Sequence, residues 1–86
     1  MQISEAVYLA FDTILDDEVS VADISCHIKT FIPDYEDVDI EVISKRVSSY
    51  LSRNINSKSP LYKREKQGIY KRRKSFRHLQ NKNALL

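Results

Sequence analysis

Eighty-six residues, 42% hydrophobic and 30% charged, make one globular domain, exclude two, and are too apolar for a wholly disordered chain. One Gly and two Pro argue against a many-turned all-β fold, so helices are expected to dominate. The net charge of +2 hides a split: residues 1–42 hold eleven acids against Lys29, net −10, whereas residues 43–86 hold thirteen Lys or Arg against Glu65, net +12.

Residues 3–15 place Val7, Ala10, Phe11, Ile14 and Leu15 on one apolar helical face. Ser4 is the expected N-cap, with Ile3 and Tyr8 as a hydrophobic staple, and the run Asp16-Asp17-Glu18 ends the pattern. The second helix opens on an S-x-x-D capping box, Ser20 and Asp23, with Val19 and Ile24 spaced as its staple. Val21, Ile24, Ile28, Phe31 and Ile32 form its stripe and Pro33 stops it. Val19 and Val21 also suit a short strand in a small sheet.

Residues 33–37 read as a loop, and Asp39 is placed to cap a third helix with Val38 and Ile43 as its staple. Ile40, Ile43, Val47, Tyr50 and Leu51 share one face, while Glu41, Ser44, Lys45, Ser48, Ser49 and Ser52 point outward. Residues 54–60 are turn-rich and end that helix. Two short runs, 61–64 and 69–72, then flank Glu65-Lys66-Gln67-Gly68, with the chain's single Gly where a turn requires positive φ.

Three helices followed by a hairpin give a mainly α domain with a small β-hairpin. That is the order of a winged helix-turn-helix, three helices plus wing, over residues 1–74. The three stripes cover one another, and Leu61, Ile69 and Tyr70 are expected to close the open side. Residues 75–86 form a basic C-terminal tail in which Phe76 and Leu79 stand at helical spacing; a short helix and a disordered segment are both open there.

Over residues 3–72 the chain resembles the HARE-HTH domains, winged-helix modules attached to restriction-type endonucleases and chromatin factors, and the related domain that begins the bacterial RNA polymerase delta subunit. The resemblance rests on Ile3-Ser4-Glu5-Ala6, Val19-Ser20-Val21-Ala22-Asp23-Ile24, the stretch 43–51, and Ser59-Pro60-Leu61-Tyr62-Lys63 with Gly68-Ile69-Tyr70. It implies DNA binding or docking on DNA-associated machinery. Two departures stand out: Pro33-Asp34-Tyr35-Glu36-Asp37 replaces a glycine-containing loop, and Arg72 replaces an apolar residue of the last strand.

A segment of net +12 attracts polyanions, largely by releasing counterions condensed on a phosphate backbone. On the third helix, Lys45, Arg46, Ser48, Ser49, Ser52 and Arg53 are candidate nucleic-acid-binding residues. Base readout favours Arg, Asn and Gln, so this serine-rich face suits close approach more than discrimination. On the wing, Lys63, Arg64, Lys66, Lys71, Arg72, Arg73 and Lys74 are candidates for phosphate contact. The expected partner is nucleic acid, foremost double-stranded DNA, bound with weak sequence specificity by a transcriptional regulator or accessory factor.

A competing expectation is an adaptor that docks its acidic half on a polymerase or nuclease, since Asp37, Asp39 and Glu41 suit a helix dipole but repel phosphates. A third is that the two halves neutralise each other, although Lys71-Arg72-Arg73-Lys74 has no acidic run beside it.

Other chemistry is poorly supported. Counted from Asp34, the positions where a calcium loop needs Gly and Glu hold Asp39 and Lys45. Cys26 and His27 lack a second Cys/His pair for zinc, and neither His27 nor His78 has a nucleophile in a recognisable frame. No enzyme activity, metal or cofactor is expected. Cys26 is expected to be a buried thiol in a reducing compartment. No stretch approaches the roughly 20 apolar residues of a membrane span, and no secretory signal is evident, so a cytoplasmic location with no membrane partner is expected. Among the tyrosines, Tyr50 and Tyr70 are expected in the core and Tyr62 at the surface as a stacking candidate.

Overall fold

A computed structural model describes residues 1–73 except Leu15 and Asp17; the expectations for Lys74 and for the tail 75–86 lie outside the described residues. In chain order the elements are α1 (Ile3–Thr13), β1 (Glu18–Ser20), α2 (Val21–Phe31), a 3-10 turn (Pro33–Tyr35), α3 (Ile40–Ile55), β2 (Tyr62–Lys66) and β3 (Ile69–Arg72). The protein is mainly helical with a small three-stranded antiparallel sheet.

The expected Ser4 cap of α1 is corrected. The cap lies two residues earlier, because the Ala6 N–H donates to the Gln2 carbonyl at 3.1 Å, and Gln2 caps the helix without a side-chain bond. Its C-terminal end is Thr13, where the hydroxyl donates back to the Leu9 carbonyl at 2.9 Å and Ile14 turns to extended backbone. The start of α2 follows its sequence signal: the Ser20 hydroxyl accepts from the Asp23 N–H at 3.0 Å. Buried Ser25 is satisfied within the helix by donating to the Val21 carbonyl at 2.7 Å.

Pro33 ends α2 and begins the 3-10 turn. Tyr35 anchors that turn in the core, with its hydroxyl donating to the Met1 carbonyl at 2.8 Å. Lys29, the sole base of the acidic half, donates to the carbonyls of Glu36 and Val38 at 2.9 and 2.8 Å. It therefore satisfies backbone acceptors that the short turn into α3 leaves over. Asp39 caps α3 through a longer bond from the Glu41 N–H, 3.4 Å.

The sheet has strand order β1-β3-β2, so the last strand of the chain is the central one. Val19 pairs with Tyr70 on one side of β3, and Lys63 and Tyr62 pair with Lys71 and Arg72 on the other. Gly68 takes φ +75° in the hairpin turn and its carbonyl accepts from the Val21 N–H at 2.9 Å, tying the turn to the start of α2.

Strand alternation turns Val19, Tyr62 and Tyr70 inward against Ala6, Val7, Ala10 and Phe11 of α1, Ile24 and Ile28 of α2, and Ile43, Val47 and Leu51 of α3. The expected surface role of Tyr62 is thereby overturned: it is 1% exposed, whereas Leu61, expected inside, is 40% exposed. A shift of one residue exchanges the faces, and pairing with β3 decides the phase. Cys26 is exposed, not buried, because it lies off the Ile24–Ile28 stripe. Phe31, at the last turn of α2, is also exposed. No helix among the described residues is long and apolar enough to cross a membrane.

Candidate nucleic-acid interface

The alternation that buries Tyr62 and Tyr70 sends Lys63 and Lys71 to the opposite face of the sheet. They are direct cross-strand partners, and Arg73 follows two positions after Lys71 on the same side. Arg73 is held in place because its N–H donates to the Leu61 carbonyl at 2.9 Å, continuing the ladder one step past β3. Lys63, Lys71, Arg72 and Arg73 line a recess of about 540 Å³.

Two carboxylates border this cluster. Glu65 lies 3.3 Å from the Lys63 ammonium, an exposed pair of small energetic weight, and Glu18 of β1 is the partner of Lys71 on its other side.

Arg72 belongs to the recess wall, but its guanidinium is bound to α1. Nη1 donates to Asp12 at 2.8 Å and Nη2 to the Tyr8 carbonyl at 3.1 Å. Its Cζ lies 4.9 Å from the Tyr8 ring centroid and 5.9 Å from that of Phe11. Arg64 pairs with Tyr70 and Lys66 with Ile69 across a bulge, so both exposed side chains ride on the hairpin tip, apart from the Lys63–Lys71 pair. Of the wing residues read from sequence, three thus converge, two sit at the tip, one is tied to α1, and Lys74 lies outside the described residues.

The α3 candidates divide in the same way. Lys45, Ser49 and Ser52 share an exposed outward stripe at helical spacing. Arg53 joins it, its Nε donating to the Ser49 carbonyl at 3.3 Å. Ser48 is half-buried at the flank. Arg46 lines a different recess, with Gln2, Ile3, Glu5 and Tyr35 beside the start of α1. Val42, 39% exposed on the outward side, is a surface residue that the sequence reading did not single out; its spacing of three from Lys45 is the signal.

Asn54 was also missed, because in sequence it reads only as a turn former. Its Oδ1 accepts from the N–H groups of Leu61 and Tyr62 at 2.9 and 3.3 Å, docking the hairpin on the C-terminal end of α3. Tyr62 stacks 4.6 Å from Phe11 and meets Tyr50 edge-on at 6.3 Å, while its buried hydroxyl has no hydrogen-bond partner among the described residues. Burial pushes the Tyr62 phenol well above its ordinary value. Burial also raises Tyr50, opposed by a hydrogen bond with Asn54.

Among the described residues no group of three or more His, Cys, Asp or Glu is placed to hold a metal ion. His27 lies 4.8 Å from the Phe31 ring. No family model, no curated protein and no solved structure matches this chain.

Proposed function

We propose that this chain is a winged helix-turn-helix module, of the kind the HARE-HTH resemblance implies, that binds double-stranded DNA through its phosphates and serves as a transcriptional regulator or accessory factor. The observation that carries the reading is the placement of Lys63 opposite Lys71 with Arg73 beside them on the sheet face turned away from the core. Like charges directly opposite in a sheet destabilise it, and three cations bordered by only Glu65 and Glu18 leave a net positive face that an anionic partner would complement. Phosphate is the group such a cluster suits.

The same face argues for a duplex over a single strand. Single-strand binders stack bases on exposed aromatics, whereas Tyr62 and Tyr70 are buried here. The short side chains of Ser49 and Ser52 beside Lys45 on α3 supply little base discrimination, which supports weak sequence specificity.

The test is a fluorescence-anisotropy titration of a labelled duplex, its separate strands and an RNA of the same sequence at several salt concentrations. If Lys63, Lys71, Arg73, Lys45 and Arg53 each neutralise one phosphate, log K falls with log[salt] with a slope of about −4.5. Replacing Lys63, Lys71 and Arg73 by Glu is expected to abolish binding. Absent or salt-independent binding by the unaltered chain overturns the reading.

A second reading, docking of a protein on the acidic half, is favoured by one observation. Glu36, Asp37, Asp39 and Glu41 are exposed at the N-terminal end of α3, and the hairpin is fastened to the other end, about 20 Å away along the helix. A protein partner retained by the triple Glu variant would support it.

A further inference from the structure

Val42 stands in the first turn of α3 and is 39% exposed, and it belongs neither to the core nor to the residues packed against it. The outward side of this helix divides into two stripes at spacings of three and four. One holds Val42, Lys45, Ser49 and Arg53, all exposed; the other holds Glu41, Ser44 and Ser48, of which both serines are half-buried. Lys45 and Arg53 therefore share the stripe of the apolar side chain, and Glu41 lies off it. A β-branched residue is a poorer helix former than alanine or lysine. Neither helix propensity nor burial accounts for Val42 at this place.

We propose that Val42 gives the protein a preference for thymine by touching its 5-methyl group in the major groove of a DNA duplex. The inference rests on the duplex-binding reading and deepens it, since it names the base that this side chain recognises.

In the major groove guanine, cytosine and adenine present hydrogen-bond donors and acceptors, and the thymine methyl is the apolar group there. Valine neither donates nor accepts. Its side chain complements that methyl and leaves the polar edges of the other bases without a hydrogen-bond partner. Position points the same way, because a helix-turn-helix brings the N-terminal residues of its second helix to base edges. Along the axis Lys45 and Arg53 follow Val42 by roughly 5 and 16 Å. Their long stems can reach out to phosphates while Val42, short and stiff at χ1, stays close to the groove floor. Charge agrees: Asp39 and Glu41 repel phosphates at this end of the helix, so a contact there is best made with an uncharged group of a base. Burying one methyl is worth roughly fourfold in affinity, in keeping with weak specificity.

The test is an anisotropy titration of the full 86-residue chain with a labelled alternating A·T duplex, in which every base pair offers a thymine methyl. The same duplex carrying uracil in place of thymine has identical phosphates and no such methyl. The native chain is expected to bind the thymine duplex about fourfold more tightly. Val42→Ala, which improves helix propensity at an exposed position, should bring the two affinities together and leave the salt slope unchanged. Val42→Ile, which keeps the apolar surface, should retain the preference. Equal affinity of the native chain for both duplexes overturns the inference and leaves the phosphate reading standing. A preference that survives in Val42→Ala also overturns it, because the methyl is then read by another residue or through duplex shape. Absence of duplex binding overturns the underlying reading, and this inference with it.

Discussion

Arg72 on β3 and Asp12 on α1, sixty positions apart in sequence, meet at 2.8 Å and join the last strand to the first helix. The same guanidinium caps a carbonyl of α1 and lies over Tyr8. One of the four cations lining the sheet-face recess is thus used for holding the fold, which leaves Lys63, Lys71 and Arg73 to face outward.

Arg72→Ala is expected to lower stability by about 1–2 kcal/mol, the sum of a half-exposed ion pair, a ring contact and lost packing of the stem. Asp12→Asn should cost less than about 1 kcal/mol, because the packing survives. Urea denaturation followed by circular dichroism measures both. Equal costs for the two variants would mean that charge alone, and not the stacked stem, supports the contact.

Lys63→Thr should move stability and binding in opposite directions. It removes the repulsion with Lys71 and puts a strong strand former in place, at the loss of an exposed contact with Glu65. A gain of a few tenths of a kcal/mol to about 1 kcal/mol is expected. Affinity for duplex DNA should fall and the magnitude of the salt slope should drop by about 0.9. A variant that loses stability and keeps its affinity contradicts the assignment of Lys63 to the interface.

Tyr62→Phe deletes a buried hydroxyl that has no partner among the described residues. At neutral pH it should stabilise the protein by about 1 kcal/mol. Burial raises the phenol of the folded chain above 10.0, the value the unfolded chain keeps. The folded state therefore prefers the neutral phenol. That preference is fully present below pH 10.0 and is lost as pH rises from there toward the raised folded value. Denaturation midpoints measured across this range should fall steeply for the native chain and less steeply for Tyr62→Phe. Tyr50, raised in the same direction, sustains the remaining loss.

Asn54→Ala leaves the N–H groups of Leu61 and Tyr62 without their acceptor. A cost of about 1–3 kcal/mol is expected, with faster hydrogen exchange at those two amides. Asn54→Asp keeps an acceptor oxygen and should be milder. If Asn54→Ala leaves exchange at Leu61 and Tyr62 unchanged, the hairpin is held to α3 by packing alone.

Local signals in the sequence served well where the structure depends on neighbours. The Ser20–Asp23 box does begin α2, and Gly68 does turn the hairpin. Signals failed where distant segments decide. Whether Tyr62 or Leu61 faces inward depends on register with β3, and nothing within residues 61–64 fixes it. The density of cations in residues 71–74 was plain, but the loss of Arg72 to Asp12 depends on a contact between chain segments that meet only in the folded state. On α3 the outward stripe of Lys45, Ser49 and Ser52 followed from helical periodicity, whereas the diversion of Arg46 toward the start of α1 required the helix packing itself.

β3 lies between β1 and β2, with hydrogen-bonded neighbours on both edges. A wing made of a lone two-stranded ribbon would swing about its base, and each collision with a partner would have to freeze it afresh. Here β1 pairs with Ile69, Tyr70 and Lys71 and runs straight into α2, so the backbone beneath Lys71 is tied to the helical body. For any anion bound on this face, the cost of ordering the backbone beneath Lys71 would be met during folding.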